Sequence, residues 1–376
     1  MTQPFFKKQY FALSLDPVHV GTGGYRLGHV DNTILRESGT NLPKIPGSSI
    51  NGVLRAYTAM SIQNRVEGDW ISRENGFWVL DCKKYRQLKY LRPVYELMNG
   101  ESSEQDSAKV NPDTKGDGPL LKEDKDENPL YHSCAGKGGK DGQAHCGRHD
   151  CPVCTAFGFS IGDKGSFQGL VQFYDMRILL FPVYTSAGTV WITSAGTLAD
   201  AAMKDPPDIP ENQYISTLVK KPDTLYMAGF KFTEAPDDKK ASDIPGQSSI
   251  PEPIRNRMVI LSDECFSRMV NAGLEVRTSV AIDPETGAAD EGALFTFEAI
   301  PRSTIMQFDI IFTKPEFFRI DNQKIPFTHQ NVKTTIEEGL KMMETLGIGG
   351  MNTRGMGRVR VLNLENDKKG DKNGEH

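Results

Sequence analysis

Between His132 and Cys154 the chain places four cysteines and three histidines within 23 residues, a density that few folds explain without a metal. Cys134, Cys146, Cys151 and Cys154 follow the pattern C-x11-C-x4-C-x2-C, with His132, His145 and His149 interleaved. Two thiolates separated by two residues, as in Cys151-Pro152-Val153-Cys154, can both reach one tetrahedral ion. The last three cysteines also match the C-x4-C-x2-C spacing of plant-type iron-sulfur proteins, but the nearby histidines and a fourth cysteine lying upstream favour zinc. Six cysteines in 376 residues are too few for a disulfide framework. The expected ligands are Cys134, Cys146, Cys151 and Cys154, with His132 as the alternative; which four of the seven groups bind stays open. Such a closed, thiolate-rich site is structural, pinning a segment that has little core of its own, and it argues against a free-standing zinc hydrolase.

The formal charge of −5 has a local origin. Residues 101–130 hold nine acidic residues against Lys109, Lys115, Lys122 and Lys125, which leaves the rest of the chain neutral. That acidic stretch has almost no aromatic or β-branched residues to offset the entropy of ordering it, so a mobile insertion is expected over 97–131. No run approaches the roughly 18 apolar residues of a membrane span, and the opening MTQPFFKKQY has no apolar run of the kind a secretory signal uses. A cytoplasmic protein without a membrane partner is expected.

The patterning alternates strands with a few helices. A strand is expected over 5–15, and a helix after Pro46-Gly47, with Ser48 or Ser49 as its cap and Ile50, Val53, Leu54 and Tyr57 on one face. Residues 169–194 read as two or three β runs broken at Pro182 and Ala187-Gly188. Ser262-Asp263-Glu264 opens a short helix with Phe266, Met269 and Val270 inward and Gly273 as its stop. Residues 274–297 form a hairpin around Asp283-Pro284-Glu285-Thr286-Gly287 whose arms are too polar to serve as core. Thr335 and Glu338 offer a capping box for a helix that runs into the glycine-rich stretch 347–357 and a last strand over 358–364. With no βαβ repeat, the expected class is α+β with a ferredoxin-like sheet.

The two glycine-rich loops are not nucleotide motifs. Gly21-x-Gly23 has Arg26 where a dinucleotide fingerprint needs its third glycine, and neither loop contains Gly-Lys-Ser/Thr. Glycines do let backbone N–H groups approach a phosphate, and Arg354, Arg358 and Arg360 follow in the second loop, which suits a phosphodiester; a tight turn with arginines on its wet face reads equally well. Asp31 lies in the loop between the first strand and the first helix, where function concentrates, although a loop aspartate is often only a turn residue.

These residues resemble a known family. The runs His19 to Gly23, Val30 to Glu37 and Leu42 to Arg55, then 173–183, 294–301 and the closing glycine loop, are similar to RAMP-superfamily backbone subunits of type III CRISPR-Cas effectors. The resemblance to the III-B subunit is carried by the downstream runs; the cysteine knuckle before Phe157-Gly158 and the Val30-Asp31-Asn32 triplet look more like the III-A subunit. It implies an RRM-like palm built from 1–96, 155–202 and 256–364 and makes the 274–297 hairpin a thumb, beside the zinc-binding segment over 132–154 and the disordered tail over 365–376 that the residues themselves indicate. It also implies repeated copies stacked along CRISPR RNA with other effector subunits, and cleavage of complementary target RNA wherever the thumb displaces a nucleotide. Asp31 then occupies the cleaving position, working with a divalent metal such as Mg2+ and with Glu298 as a secondary helper. Ser48, Ser49, Asn51, Arg55 and Arg354 become RNA contacts, although Asn51 stands where the family commonly carries lysine. The alternative is a non-catalytic structural RNA-binding subunit of the same kind of complex.

Overall fold

The computed structural model describes residues 3–23, 30–68, 71–74, 77–81, 107–110, 134–136, 145, 147–161, 165–236, 244–280, 282–289 and 294–364. His132, Cys146, the tail 365–376 and most of the acidic segment lie outside the described residues. In chain order the elements begin β1 (Phe5–Ser14), β2 (Lys44–Ile45), α1 (Gly47–Gly68), β3 (Ile71–Glu74), β4 (Phe77–Asp81), β5 (Ser107–Val110) and α2 (Pro152–Phe157). There follow β6 (Phe159–Ser160), β7 (Ser166–Phe167), β8 (Val171–Phe173), β9 (Met176–Thr185), β10 (Gly188–Ser194), α3 (Ala195–Asp200), β11 (Gln213–Ser216), β12 (Thr224–Met227) and β13 (Phe230–Glu234). The chain closes with α4 (Glu252–Arg255), β14 (Met258–Leu261), α5 (Asp263–Ala272), β15 (Glu275–Ser279), β16 (Phe295–Ala299), β17 (Ile305–Thr313), β18 (Arg319–Ile320), β19 (Gln323–Lys324), α6 (His329–Leu346) and β20 (Val359–Val361). The class is α+β with sheet-rich cores, and the contacts divide it into two units.

One unit comprises 1–8, 46–175 and 309–343. Helix α1 starts at Gly47, and its first N–H donates to Asp175 Oδ1 at 2.9 Å, so a distant carboxylate caps the helix where Ser48 or Ser49 was expected to. A side chain at Gly47 would lie 2.2 Å from the Phe173 carbonyl oxygen, which only glycine avoids. The helix buries Ile50, Leu54, Ala59 and Ile62 and leaves Val53 and Tyr57 half-buried on its flank. Helix α6 begins earlier than the Thr335–Glu338 box predicts. The Thr328 hydroxyl accepts from Asn331 N–H at 3.2 Å while Asn331 Oδ1 accepts from Thr328 N–H at 2.9 Å, a reciprocal cap one full turn and more upstream. Thr335 instead donates back to the Asn331 carbonyl inside the helix. Within the segment expected to be mobile, Ser107–Val110 pairs with β4 as a strand.

The other unit comprises 9–45, 176–308 and 344–376. Its sheet runs β10-β14-β11-β13-β12-β9, with β17 from Ile305 pairing to β9 and β20 pairing to β1. Pro182 does not break β9. It stands opposite Trp191, whose N–H points away to the Arg257 carbonyl on the β14 side, so the missing proline donor leaves no ladder bond unmade. Buried Leu179, Leu180, Leu198, Met258 and Ile260 fill the core, each worth roughly 1.5–3 kcal/mol of removed apolar surface. Helix α5 forms as its sequence predicts: the Ser262 hydroxyl accepts from Cys265 N–H, Phe266, Met269 and Val270 are buried, and Gly273 ends it.

The hairpin is β15 with β16, registered from Glu275 opposite Ala299 to Ser279 opposite Phe295. Its turn closes as expected, the Asp283 carboxylate accepting from Glu285 N–H and from the Thr286 hydroxyl. The arms differ from the polar ribbon anticipated. Phe297 and Ala299 pack with Met356 at the base, whereas Val276, Val280, Ile282 and Leu294 are exposed.

Candidate nucleic-acid site and metal centre

The loop carrying Asp31 is stitched along β16. Asn32 N–H donates to the Thr296 carbonyl and Glu298 N–H donates to the Asn32 carbonyl, each at 3.0 Å, so residues 31–34 run beside the strand. Asp31 is exposed, and its carboxylate is fixed by one oxygen: Oδ2 accepts from Thr296 N–H at 2.8 Å and from the Thr296 hydroxyl at 3.0 Å. Oδ1 has no partner among the described residues. The Thr296 N–H, and then its hydroxyl, hold the acid below the usual aspartate range, so it is ionised. An anionic oxygen on a clamped carboxylate, facing solvent beside the turn-side end of the hairpin ladder, can ligate a cation or accept a proton.

Glu298, two residues along on the same face of β16, has different surroundings. Its carboxylate accepts from Arg36 Nη2 at 2.9 Å and from Ile34 N–H at 3.2 Å, with both members of the ion pair largely buried. Arg36 also donates to Asn271 on α5. Glu298 is therefore engaged on both oxygens in fastening the loop to the strand. His19 is buried as well; its Nδ1 donates to the Glu298 carbonyl at 2.6 Å and its ring meets Phe297 edge-on.

The glycine-rich loop joins the same framework. Gly350 N–H donates to the His19 carbonyl at 2.8 Å, and a Cβ on Gly349 would lie 2.3 Å from that oxygen. Gly349 takes φ +88°, so glycine serves both the turn and the close approach. Arg354, exposed on this loop, donates to the Ser279 hydroxyl at 3.3 Å, and Ser279 pairs with Phe295, the neighbour of Thr296. Asp31 and Arg354, 323 positions apart by number, thus both grip the turn-side end of the β15–β16 ladder. Arg358 and Arg360 are committed to Asp16 and Glu344.

The other unit holds the remaining expected site residues. On the first turns of α1, Ser48 is exposed and Ser49 and Asn51 are half-buried. Arg55 is only 8% exposed and turns inward: Nε donates to the Cys134 carbonyl, Nη1 to the Gly158 carbonyl and Nη2 to His145 Nδ1, at 2.7, 2.7 and 2.8 Å. Its guanidinium is thus not presented to a passing phosphate. Cys134, Cys151 and Cys154 are buried with Sγ separations of 4.0 Å (Cys134 to Cys151) and 3.9 Å (Cys134 to Cys154). Those gaps far exceed a disulfide bond and come close to the roughly 3.8 Å edge of a tetrahedron with Zn–S bonds of about 2.3 Å. The buried three-sulfur cluster can hold a metal such as zinc. His145 Nδ1 accepts from Arg55, which only donates, and burial, then the Arg55 charge, lowers the histidine's pKa below its usual value.

Thr296 and Arg36 were not among the expected site residues. Thr296 has no signal of its own, because a threonine in a strand is ordinary until the partner loop is known. Arg36 lies five residues after Asp31 in a loop poor in other cations, which marks it for a carboxylate without naming which one.

A RAMP superfamily model matches residues 13–360. The CRISPR system Cmr endoribonuclease Cmr4 of Pyrococcus furiosus is 24% identical over 214 residues, covering 51% of this chain and 68% of that protein. Among solved structures, the type III-B Cmr-beta complex in its apo state matches with a TM-score of 0.51 at 12% identity over 95% of this chain and 96% of its own. The same complex bound to cognate target RNA gives 0.51 at 13% identity over 96% and 98%. Likeness at these identities speaks for a shared fold. No helix among the described residues is long and apolar enough to cross a membrane. With the family model spanning nearly every strand and helix described above, the chain belongs to the RAMP superfamily.

Proposed function

We propose that the chain is a repeated backbone subunit of a type III CRISPR-Cas effector, which binds CRISPR RNA and cuts complementary target RNA at Asp31. One observation carries the reading: an exposed carboxylate clamped through a single oxygen along the strand of a hairpin, in a RAMP chain whose Pyrococcus furiosus relative is named an endoribonuclease. RNA supplies its own nucleophile. The 2′-oxygen attacks the adjacent phosphorus as the bond to the 5′-oxygen breaks, leaving a 2′,3′-cyclic phosphate and a 5′-hydroxyl. The 2′-proton must leave and the 5′-oxygen must gain one. Asp31 Oδ1 either orients the 2′-hydroxyl or ligates a divalent cation such as Mg2+ that offsets phosphate charge.

The hairpin β15–β16 acts as the thumb. Its exposed Val276, Val280, Ile282 and Leu294 suit a wedge against bases or a neighbouring copy, and displacing a nucleotide frees the backbone for in-line attack. The RRM-like, ferredoxin-type palm carries the guide through Ser48, Ser49 and Asn51 on α1 and through Arg354, with contacts summed over copies of the subunit and its partner subunits in the cytoplasm. The cysteine cluster binds structural zinc, completed by Cys146 or His132.

A second reading, a non-catalytic RNA-binding subunit, draws on the same clamp, since a carboxylate accepting two bonds from Thr296 also serves as a loop staple. The test is a complex reconstituted with guide RNA and Mg2+, in which Asp31→Ala abolishes periodic cutting of a matched target while binding it as wild type does. Equal cutting by both proteins selects the structural reading, and joint loss of binding and cutting makes Asp31 a loop staple.

A further inference from the structure

We propose that Arg55 is the charge partner of the metal–thiolate centre, holding a net negative cluster against α1 rather than contacting RNA. The inference rests on the reading of the three cysteines as a metal site.

A guanidinium is always protonated, and one this deeply buried calls for a counter-charge. Among the described residues no carboxylate pairs with Arg55; its three partners are the carbonyls of Cys134 and Gly158 and the ring of His145. Two of these are bound up with the cluster itself. Cys134 contributes a sulfur, and Gly158 caps the helix on which Cys154 sits. Three thiolates around a divalent ion carry a net charge of about −1, and a fourth thiolate makes it about −2. The anion that Arg55 lacks is therefore the one the cluster acquires on binding metal. Reciprocally, a buried anionic centre needs a neighbouring cation, and Arg55 on α1 supplies that charge.

His145 takes an Arg55 donor on Nδ1 and so helps to steer the guanidinium. Arg55 is thus a positioning residue for the centre, and the link between the ion and the helix whose N-terminus bears Ser48 and Ser49.

The experiment uses the full-length protein purified without chelator, with zinc measured by elemental analysis and its release followed with a chromogenic chelator. Wild type is expected to hold one zinc per chain. Arg55→Gln, nearly isosteric and neutral, is expected to release it at least about tenfold faster, the scale on which outer-shell partners act on metal affinity. Arg55→Lys, which keeps the charge but not the fork, is expected to stay within about threefold of wild type. Equal release from Arg55→Gln and wild type overturns the inference, as does Arg55→Lys losing the ion as fully as Arg55→Gln. Should Arg55→Gln fail to fold, the Arg55→Lys arm decides alone: retention supports the charge role and loss refutes it. Wild type without metal removes the metal reading itself, a result distinct from either.

Discussion

Replacing Glu298 separates its two possible roles. Glu298→Ala removes the acceptor for Ile34 N–H and the carboxylate paired to Arg36 at 2.9 Å, in surroundings where the two side chains keep 18% (Arg36) and 13% (Glu298) of their exposure. Breaking a fully buried pair costs about 3–5 kcal/mol and an exposed one about 0–1 kcal/mol. At this burial, with Asn271 still holding Arg36, the expected loss is about 2 kcal/mol. In a unit of roughly 200 residues that lowers the melting temperature by about 4–8 °C. Glu298→Gln keeps the shape and a bond to Ile34 and should lose about half as much. Scanning calorimetry on both variants, on Arg36→Met and on the double variant reads the pair directly, since contacting residues give coupling of about 0.5–3 kcal/mol. A shift below about 1 °C, or strict additivity of the two single changes, refutes the clamp. If Glu298→Gln stops RNA cutting in an effector complex with no change in melting, Glu298 is the chemical helper expected from the resemblance.

Three further outcomes follow from local geometry. Gly349→Ala places a Cβ 2.3 Å from the His19 carbonyl oxygen at a φ of +88°, and should cost more than about 2 kcal/mol, seen as a lower melting temperature and weaker RNA binding through Arg354. Thr328→Ala removes the reciprocal cap of α6 and should cost about 1 kcal/mol by denaturant titration, while Thr335→Ala, predicted from sequence to be the cap, should change stability by less than half of that. Tyr214, whose hydroxyl donates to the Pro222 carbonyl, has its pKa pushed up to about 12, first by burial and then by Glu234 and Asp223. The raised value means that the fold favours the neutral phenol. Its contribution is whole below about pH 10 and is lost as pH rises towards about 12, a window in which phenolate absorbance and circular dichroism should change together in wild type, with the alkaline loss of structure weakened in Tyr214→Phe.

The sequence made local features visible and hid those that depend on distant partners. Helix α5 was legible because its cap, its apolar triplet and its stop lie within 12 residues. The start of α1 was misassigned because its cap, Asp175, lies 128 positions away, and Pro182 looked like a break because its harmlessness depends on which way Trp191 N–H points. The three cluster cysteines were picked out by their local spacing, whereas Asp31 and Arg354 owe their expected roles to the family resemblance, since local chemistry alone reads the one as readily as a turn residue and the other as an arginine on a wet face. The inward turn of Arg55 and the ion pair of Glu298 were not legible, because a charged residue near a motif reads as a ligand contact until its buried partners are known. For Arg55 those partners are two carbonyls and a ring, which leave no signature in sequence.

The central claim is that this chain assembles in several copies on a guide RNA, and the mass of the particle tests it most directly. Native mass spectrometry of the protein expressed with its genomic neighbours should show RNA-bearing assemblies whose masses differ by multiples of the 41.7 kDa chain, and ribonuclease treatment should shift each mass down. A single 41.7 kDa species free of RNA, purified alongside those neighbours, contradicts the account.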